Sequence, residues 1–287
     1  MFTFNPSGKL TEISDNIFDF DKYSSFDPTF VSRYLIQASI IDAYKKHAKT
    51  KRPSVLDVGG AGSLLDAFSD AKLHIIDIQP IDYPNKNYTV GNALNMPFKD
   101  KQFDVVISCD VLEHIKKDDR KQFIKECTRV SRGLVIISAP FNLTGVRLAE
   151  ISANNFYKSL TGDDHIWLKE HLQDELPELY QTKRIFTDLG FGAGYFTHTS
   201  LDYWQLLTRL SFLMAPKYSK HNLADNIQII NKFYLDKIMP KDFSDTGYRS
   251  FIIAAKDNIH IDKTPDRLDA DLENTFSLLT EIIVDLL

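Results

Sequence analysis

The residues of this chain best suited to chemistry fall in two clusters. The first is Val55-Leu56-Asp57-Val58-Gly59-Gly60-Ala61-Gly62, with a second acid, Asp77, twenty positions after Asp57. Small residues directly after a buried strand let a ligand approach the backbone, and the N-terminus of a following helix would offer free N–H donors. An acidic side chain at the end of the next strand can take both hydroxyls of a ribose. The turn is not a dinucleotide fingerprint. Gly60-x-Gly62 would need a small residue where Leu65 stands, at the point where the helix must pack on the strand. Taken alone, it is a weak signal, and a tight turn with no ligand is the alternative.

The second cluster is built from histidines, in Asp110-Val111-Leu112-Glu113-His114 and in Asp163-Asp164-His165-Ile166-Trp167-Leu168-Lys169-Glu170-His171. Histidine exchanges protons near neutral pH, so His171, His114 and His165 are candidate general bases. The alternative for each is structural, a ring that braces its loop or makes a fixed hydrogen bond. Asp110 and Glu113 read as cofactor-side acids or as solvated charges at a helix start. Asp163, Asp164 and His165 are ligand types, but adjacent residues rarely converge on one ion, and no metal is expected.

The elements that must position these groups follow from the hydrophobic pattern. Residues 1–26 read as an irregular arm. Asp27-Pro28 starts a helix, an N-cap acceptor followed by a proline whose missing N–H costs nothing there. Phe30, Tyr34, Ala38, Ile41 and Tyr44 continue it at helical spacing. Short apolar runs then predict strands at Ser54–Val58, Leu73–Asp77, Tyr88–Val90, Phe103–Ser108 and Leu134–Ser138, mostly with longer connections between them. That pattern indicates a parallel sheet covered on both faces, whose ligands bind beyond the carboxyl ends of the strands. A helix over Lys183–Leu189, a strand at Tyr195–Thr199, helices through 201–240 and a strand at Tyr248–Ala255 follow. A closing helix starts at Thr264-Pro265-Asp266 and carries Leu268, Leu272, Phe276, Leu279, Ile283 and Leu286 on one stripe. Packing within the chain is the expected use of that stripe, with a homodimer seam through the C-terminal helices as the alternative.

Between the third strand and the fifth stand Gly91-Asn92-Ala93-Leu94-Asn95-Met96-Pro97-Phe98, then Phe103-Asp104, then Leu112-Glu113-His114. With the glycine turn and Asp77, this succession resembles the bacterial class I S-adenosylmethionine-dependent methyltransferases. In that group a glycine-rich turn, an acid after the second strand, "LPF", "FD" and "LEH" recur in this order. The resemblance is close over about residues 54–140 and loose to about 256. It implies an α/β fold with a doubly wound, mostly parallel seven-stranded sheet, Rossmann-like, with helical insertions. It implies S-adenosyl-L-methionine as cofactor and Asp57, Gly59, Gly60, Ala61, Asp77, Ile78, Asn92, Ala93, Cys109 and Asp110 as its binding set. Gly59, Gly60 and Ala61 would line the methionine and ribose, Asp77 would hold the ribose hydroxyls and Ile78 would lie against the adenine. Asn92 would meet the adenine amino group, Ala93 would offer its N–H to the ring, and Cys109 would contact the methionine portion through its backbone. Arg33-Tyr34 would lie over the cofactor, unless Tyr34 is only core. Ala61 and Ser63 stand where relatives have glycine, and Asn92 where they have aspartate, although its amide oxygen can still accept.

On this reading, 1–53 is an N-terminal arm and helix, 54–140 the cofactor-binding half and 141–182 a lid. Residues 183–256 complete the sheet with a helical insertion at 201–240, and 257–287 is the C-terminal helix. The function expected is methyl transfer to oxygen or nitrogen of a small molecule or glycan. The glycan rests on a loose likeness of Trp167–Pro177 to bacterial relatives of unassigned function. An aromatic lid of Phe141, Phe156, Tyr157 and Trp167 suits a flat natural-product or quinone acceptor as well. The rival from another class is an inactive cofactor-binding scaffold. A net charge of −5, from 34 basic and 39 acidic residues, argues against nucleic acid as the partner. Cys109 and Cys127 lie in apolar segments and read as buried thiols, and the start lacks a signal peptide, so a cytoplasmic protein with no transmembrane segment is expected.

Overall fold

Alternation along the strands divides the interior into two cores. Val55, Val105, Ile107, Leu134, Ile136, Phe251 and Ile253 face one side. Their neighbours Leu56, Val106, Val135, Ile137, Ile252 and Ala254 face the other. Successive side chains of a strand point to opposite faces, so a continuous apolar run is stable only where both faces are covered.

The computed structural model describes residues 1–6, 10, 19–80, 87–214, 223–243, 246–262 and 270–286, without the side chains of 282–286. The described elements run β1 (Phe2–Phe4), α1 (Phe20–Tyr23), α2 (Pro28–His47), β2 (Ser54–Val58), α3 (Leu65–Phe68), β3 (Lys72–Asp77), β4 (Tyr88–Val90), β5 (Phe103–Cys109), α4 (Arg120–Val130) and β6 (Ser131–Pro140). They continue with α5 (Val146–Thr161), α6 (Ile166–Gln173), α7 (Leu179–Asp188), β7 (Gly192–Ser200), α8 (Leu201–Leu213), α9 (Leu223–Phe233), β8 (Gly247–Ala255), β9 (Ile259–Ile261) and α10 (Ala270–Leu286). The main sheet has the order β4-β3-β2-β5-β6-β8-β7. The pairs from β4 to β6 are parallel, while β8 runs antiparallel to both β6 and β7. The fold is the expected Rossmann-like one, and the order reverses between β2 and β5. Their carboxyl ends carry Asp57 and Cys109.

Helix α2 covers the first face with Val31, Leu35, Ile36 and Ile40. Helices α4 and α7 cover the second with Phe123, Ile124, Cys127, Leu179 and Phe186. Asp27 caps α2 as expected, its carboxylate accepting the Thr29 N–H at 2.7 Å. The arm departs from the expectation of irregular chain, because Phe2–Phe4 pairs in parallel with Ile259–Ile261 as a separate two-stranded sheet. Three residues of alternating pattern give too weak a local signal, and the partner strand is remote in sequence. The helix after the glycine turn also departs from expectation. Only four residues long, it has no side-chain N-cap, so it gives the site no helix dipole of consequence.

The predicted start of the last helix and Leu268 fall outside the described residues. Its stripe survives at Phe276, which is 2% exposed and meets Tyr203 edge-on at 5.2 Å. Among the described residues, no helix is long and apolar enough to cross a membrane. Phe276→Ala should lower the unfolding free energy in urea by about 3–5 kcal/mol, the usual loss for a buried phenylalanine. A change near zero would mean that α10 melts independently of the sheet.

Candidate functional site

The strand ends and three helices enclose a half-open cavity of about 970 Å³. One end of it is made of backbone. Gly59 has φ +76° and passes so close to Val111 that a Cβ would collide with it. Gly60 sits over Asp57, where a Cβ would come within 2.5 Å of the carboxyl carbon. Asp77 is held by two main-chain donors, the N–H of Ala61 at 3.1 Å and of Gln79 at 3.0 Å. These fix the carboxylate at the cavity edge. Ile78 is 71% exposed beside it, an apolar surface at the cavity. Ala61, Gly91, Asn92, Ala93 and Cys109 line the same end. The Asn92 amide oxygen accepts the Leu94 N–H at 2.8 Å, so one of its two acceptor positions is already used by the loop.

Asp57 and Asp110 behave differently from simple surface acids. Asp57 is fully buried, and neither carboxyl oxygen has a hydrogen-bond partner of good geometry among the described residues. Burial pushes its carboxyl up to about 7, against the pull of the Ser63 hydroxyl and the Arg33 charge. Asp110, with φ +53°, directly follows β5. The guanidinium of Arg249 donates to it twice, at 2.8 and 2.7 Å, and Arg33 makes a second ion pair with it. Arg33 also stacks over Phe30, 4.4 Å from the ring centre. The expected alternative of a solvated charge is therefore corrected for Asp110.

The other end is made of side chains brought by separate elements. Glu113 and His114 lie on a single 3-10 turn after β5, and His171 on α6. Glu113 is 3% exposed, again not a solvated charge, and burial pushes its carboxyl up to about 8. His171 Nδ1 is 2.8 Å from Glu150 Oε1, which also accepts the Tyr248 hydroxyl at 2.9 Å. The rings of His114 and His171 are 5.0 Å apart, and His114 Nδ1 lies 3.2 Å from Glu170 Oε1. Burial, followed by the neighbouring His171, lowers the His114 pKa. His165 lines the cavity farther along, packed edge-on to Tyr157 at 4.9 Å, and burial lowers its pKa too. Its loop is pinned by Asn154, whose amide donates to Asp164 and accepts the His165 N–H. Lys158 pairs with Asp164 as well, so Asp164 is engaged structurally.

Of the four aromatics assigned to the lid, only Trp167 lines the cavity. Phe141 is fully buried in the second core, and Phe156 packs against the first. The aromatic wall comes instead from Phe30, Tyr34, Trp204, Phe212 and Tyr248, with Trp204 stacked on Tyr248 at 3.8 Å. Thus α8 shares in the wall, while no described residue of α9 does. The sequence reading missed Glu150, Trp204, Tyr248 and Arg249. Only Arg249 left a signal, a charge inside the apolar strand YRSFIIAA, where it is 5% exposed.

Residues 56–137 match the family described as a methyltransferase domain. A "Probable S-adenosylmethionine-dependent methyltransferase" of Mycolicibacterium smegmatis is 31% identical over 102 residues, 31% of this chain and 39% of that protein. Over these residues the chain is similar to S-adenosylmethionine-dependent methyltransferases of class I. Norajmaline N-methyltransferase of Rauvolfia serpentina is 42% identical over 45 residues, 16% of this chain and 15% of that one. The chain thus spans less than half the length of these curated relatives. Magnesium protoporphyrin IX methyltransferase from Synechocystis, with bound SAH, superposes with a TM-score of 0.43 at 14% identity, covering 79% of this chain and 84% of that one. The end of the cavity from Gly59 to Ala93 presents the Asp77 carboxylate and the exposed Ile78 side chain.

The elevated Asp57 carboxyl has a thermodynamic signature. Near 7 when folded and about 3.9 when unfolded, it holds its proton more tightly in the folded state. Stability therefore falls as pH rises through that interval and levels off above it. Between pH 5 and 8 the parent protein should lose roughly 2–3 kcal/mol more than Asp57→Asn, measured by urea unfolding. Equal losses in the two proteins would show that Asp57 does not titrate in this range.

Proposed function

We propose that the chain transfers the methyl group of S-adenosyl-L-methionine to an oxygen or nitrogen of a small-molecule or glycan acceptor. The observation that carries this reading is the continuity of the cavity. It runs from Gly59, Asp77 and Asn92 to Trp167, His171, Trp204 and Tyr248 without an intervening wall. Its volume stands at the upper end of the roughly 300–1,000 Å³ range of small-molecule sites, room for a donor and an acceptor side by side.

Methyl transfer from a sulfonium is an in-line displacement by an already activated donor. The protein's work is to align the acceptor and exclude water. Asp77 takes the ribose hydroxyls, Ile78 covers the adenine, and Asp57 lies below the turn where the methionine portion passes. Arg33 and Phe30, on α2, close over that end. The acceptor lies between the aromatic wall and Glu113, His114 and His171, with His165 at its outer margin. Acids outnumber arginines along this cavity, which fits the expectation that nucleic acid is not the acceptor.

Two titrations with the purified chain test the donor. S-adenosylhomocysteine should bind and NAD should not. Asp77→Ala should weaken S-adenosylhomocysteine at least tenfold, since charge-assisted hydrogen bonds contribute about 1.5–3 kcal/mol each. Tight NAD binding with no response to S-adenosylhomocysteine would sink the reading. For the acceptor end, a screen with labelled donor should find a substrate whose methylation is abolished in the Trp167→Ala, His171→Ala double variant. That variant should keep S-adenosylhomocysteine affinity within about threefold, because only acceptor binding is lost. Surviving transfer would place the acceptor elsewhere.

A further inference from the structure

Four buried polar atoms without hydrogen-bond partners among the described residues lie at the acceptor end: both carboxyl oxygens of Glu113, His171 Nε2 and Glu150 Oε2. Buried polar groups are nearly always satisfied, so a cluster of orphans is a specific observation that asks for a ligand. One ligand atom from each of Glu113, His114 and His171 lies within 4.8 Å of the other two. Glu113 and His171 are 3% and 7% exposed, and both line the cavity.

We propose that Glu113, His114 and His171 form a binding site for a divalent transition-metal ion, open toward the acceptor. Two imidazoles and one carboxylate favour ions such as Zn²⁺, Mn²⁺, Fe²⁺ or Co²⁺ over Mg²⁺ and Ca²⁺, which prefer oxygen. The support behind His171 is of the kind that metal-bound histidines use. Glu150, itself held by the Tyr248 hydroxyl, accepts from Nδ1, which leaves the Nε2 lone pair facing the cavity. Bonds of about 2.0–2.1 Å would bring the ligand atoms to about 3–3.4 Å from one another, so the side chains close by a modest rotation. His114 has the freedom for this, with a side chain 25% exposed.

The chemistry attached to the site rests on the methyl-transfer reading. An acceptor hydroxyl bound to the ion ionises more readily, its proton leaving to water at the cavity mouth. The oxygen then attacks the methyl carbon, the carbon–sulfur bond breaks, and its electron pair stays on sulfur as the thioether of S-adenosylhomocysteine. The acceptor class is therefore an oxygen nucleophile able to ligate a cation, such as a hydroxyl beside a second hydroxyl or a carbonyl.

The test uses the untagged chain, stripped with a chelator and dialysed, then titrated with ZnCl₂ and separately with CoCl₂. One ion per chain should bind, and the Co²⁺ form should show visible absorption from nitrogen and oxygen ligation. Glu113→Gln and His114→Ala should each weaken the ion at least tenfold. Glu150→Gln should weaken it tenfold or more while leaving all three ligands in place. All three variants should bind S-adenosylhomocysteine within about threefold of the parent, which certifies their fold. No stoichiometric uptake, or uptake unchanged in Glu113→Gln and His114→Ala, would overturn the site and leave the methyl-transfer reading standing. Loss of S-adenosylhomocysteine binding by the parent would do the reverse. Transfer to oxygen that is equally fast in the stripped and loaded protein would overturn the role given to the ion.

Discussion

The carboxylate of Asp110 is held by guanidinium groups from two distant parts of the chain, Arg33 on α2 and Arg249 on β8. The other features of the site depend on this junction. It lies at the carboxyl end of the central strand, where β2 and β5 diverge and leave the crevice open. Arg249 is 5% exposed, and a charge so placed is tolerated only because it is paired in a bidentate fork. Arg33 lays the start of α2 across the crevice, which brings Phe30 and Tyr34 to the cavity. A single charge cluster thus registers the N-terminal helix, the cofactor strands and the late antiparallel strand against one another.

The two ends of the cavity are built on different physics. At the end lined by Gly59, Asp77 and Asn92 the surface is backbone and one carboxylate fixed by main-chain N–H donors, so the tight places require small residues and little else. Ala61 and Ser63 are therefore compatible with it. At the other end, around His114 and His171, the polar groups are side chains on β5's trailing turn, α5, α6 and β8, most of them buried by packing from elsewhere. Glu150 illustrates the difference. It is fully buried in the middle of α5 and holds His171 and Tyr248 through one carboxyl oxygen. Burial on this scale keeps polar groups out of water and makes each of them dependent on a specific partner.

Much of the sheet was legible because strands buried on both faces leave an unbroken apolar record. Val55–Val58, Phe103–Ile107 and Leu134–Ile137 each supply both cores, and their limits were found within a few residues. The cap at Asp27 and the acid at Asp77 were legible for the same reason, since local hydrogen bonding sets them. Phe2–Phe4 was not, because its pairing with Ile259–Ile261 joins opposite ends of the chain. The lid aromatics misled for a related reason: Phe141 and Phe156 are apolar enough for either a core or a pocket, and only packing assigns them.

Local sequence determined the order of the sheet's strands along the chain, the small-residue turn at Gly59–Gly60 and the acid at Asp77. In each case the decisive forces act between near neighbours: alternation of burial, backbone sterics and short-range hydrogen bonds. Tertiary structure alone decided that Glu113, His114, Glu150 and His171 converge, that Arg249 answers Asp110, and that Trp204 and Tyr248 supply the aromatic wall. Those contacts span from about twenty to well over a hundred residues of chain. No local propensity encodes them, because their energy is gained only when several elements have already excluded water from the same volume.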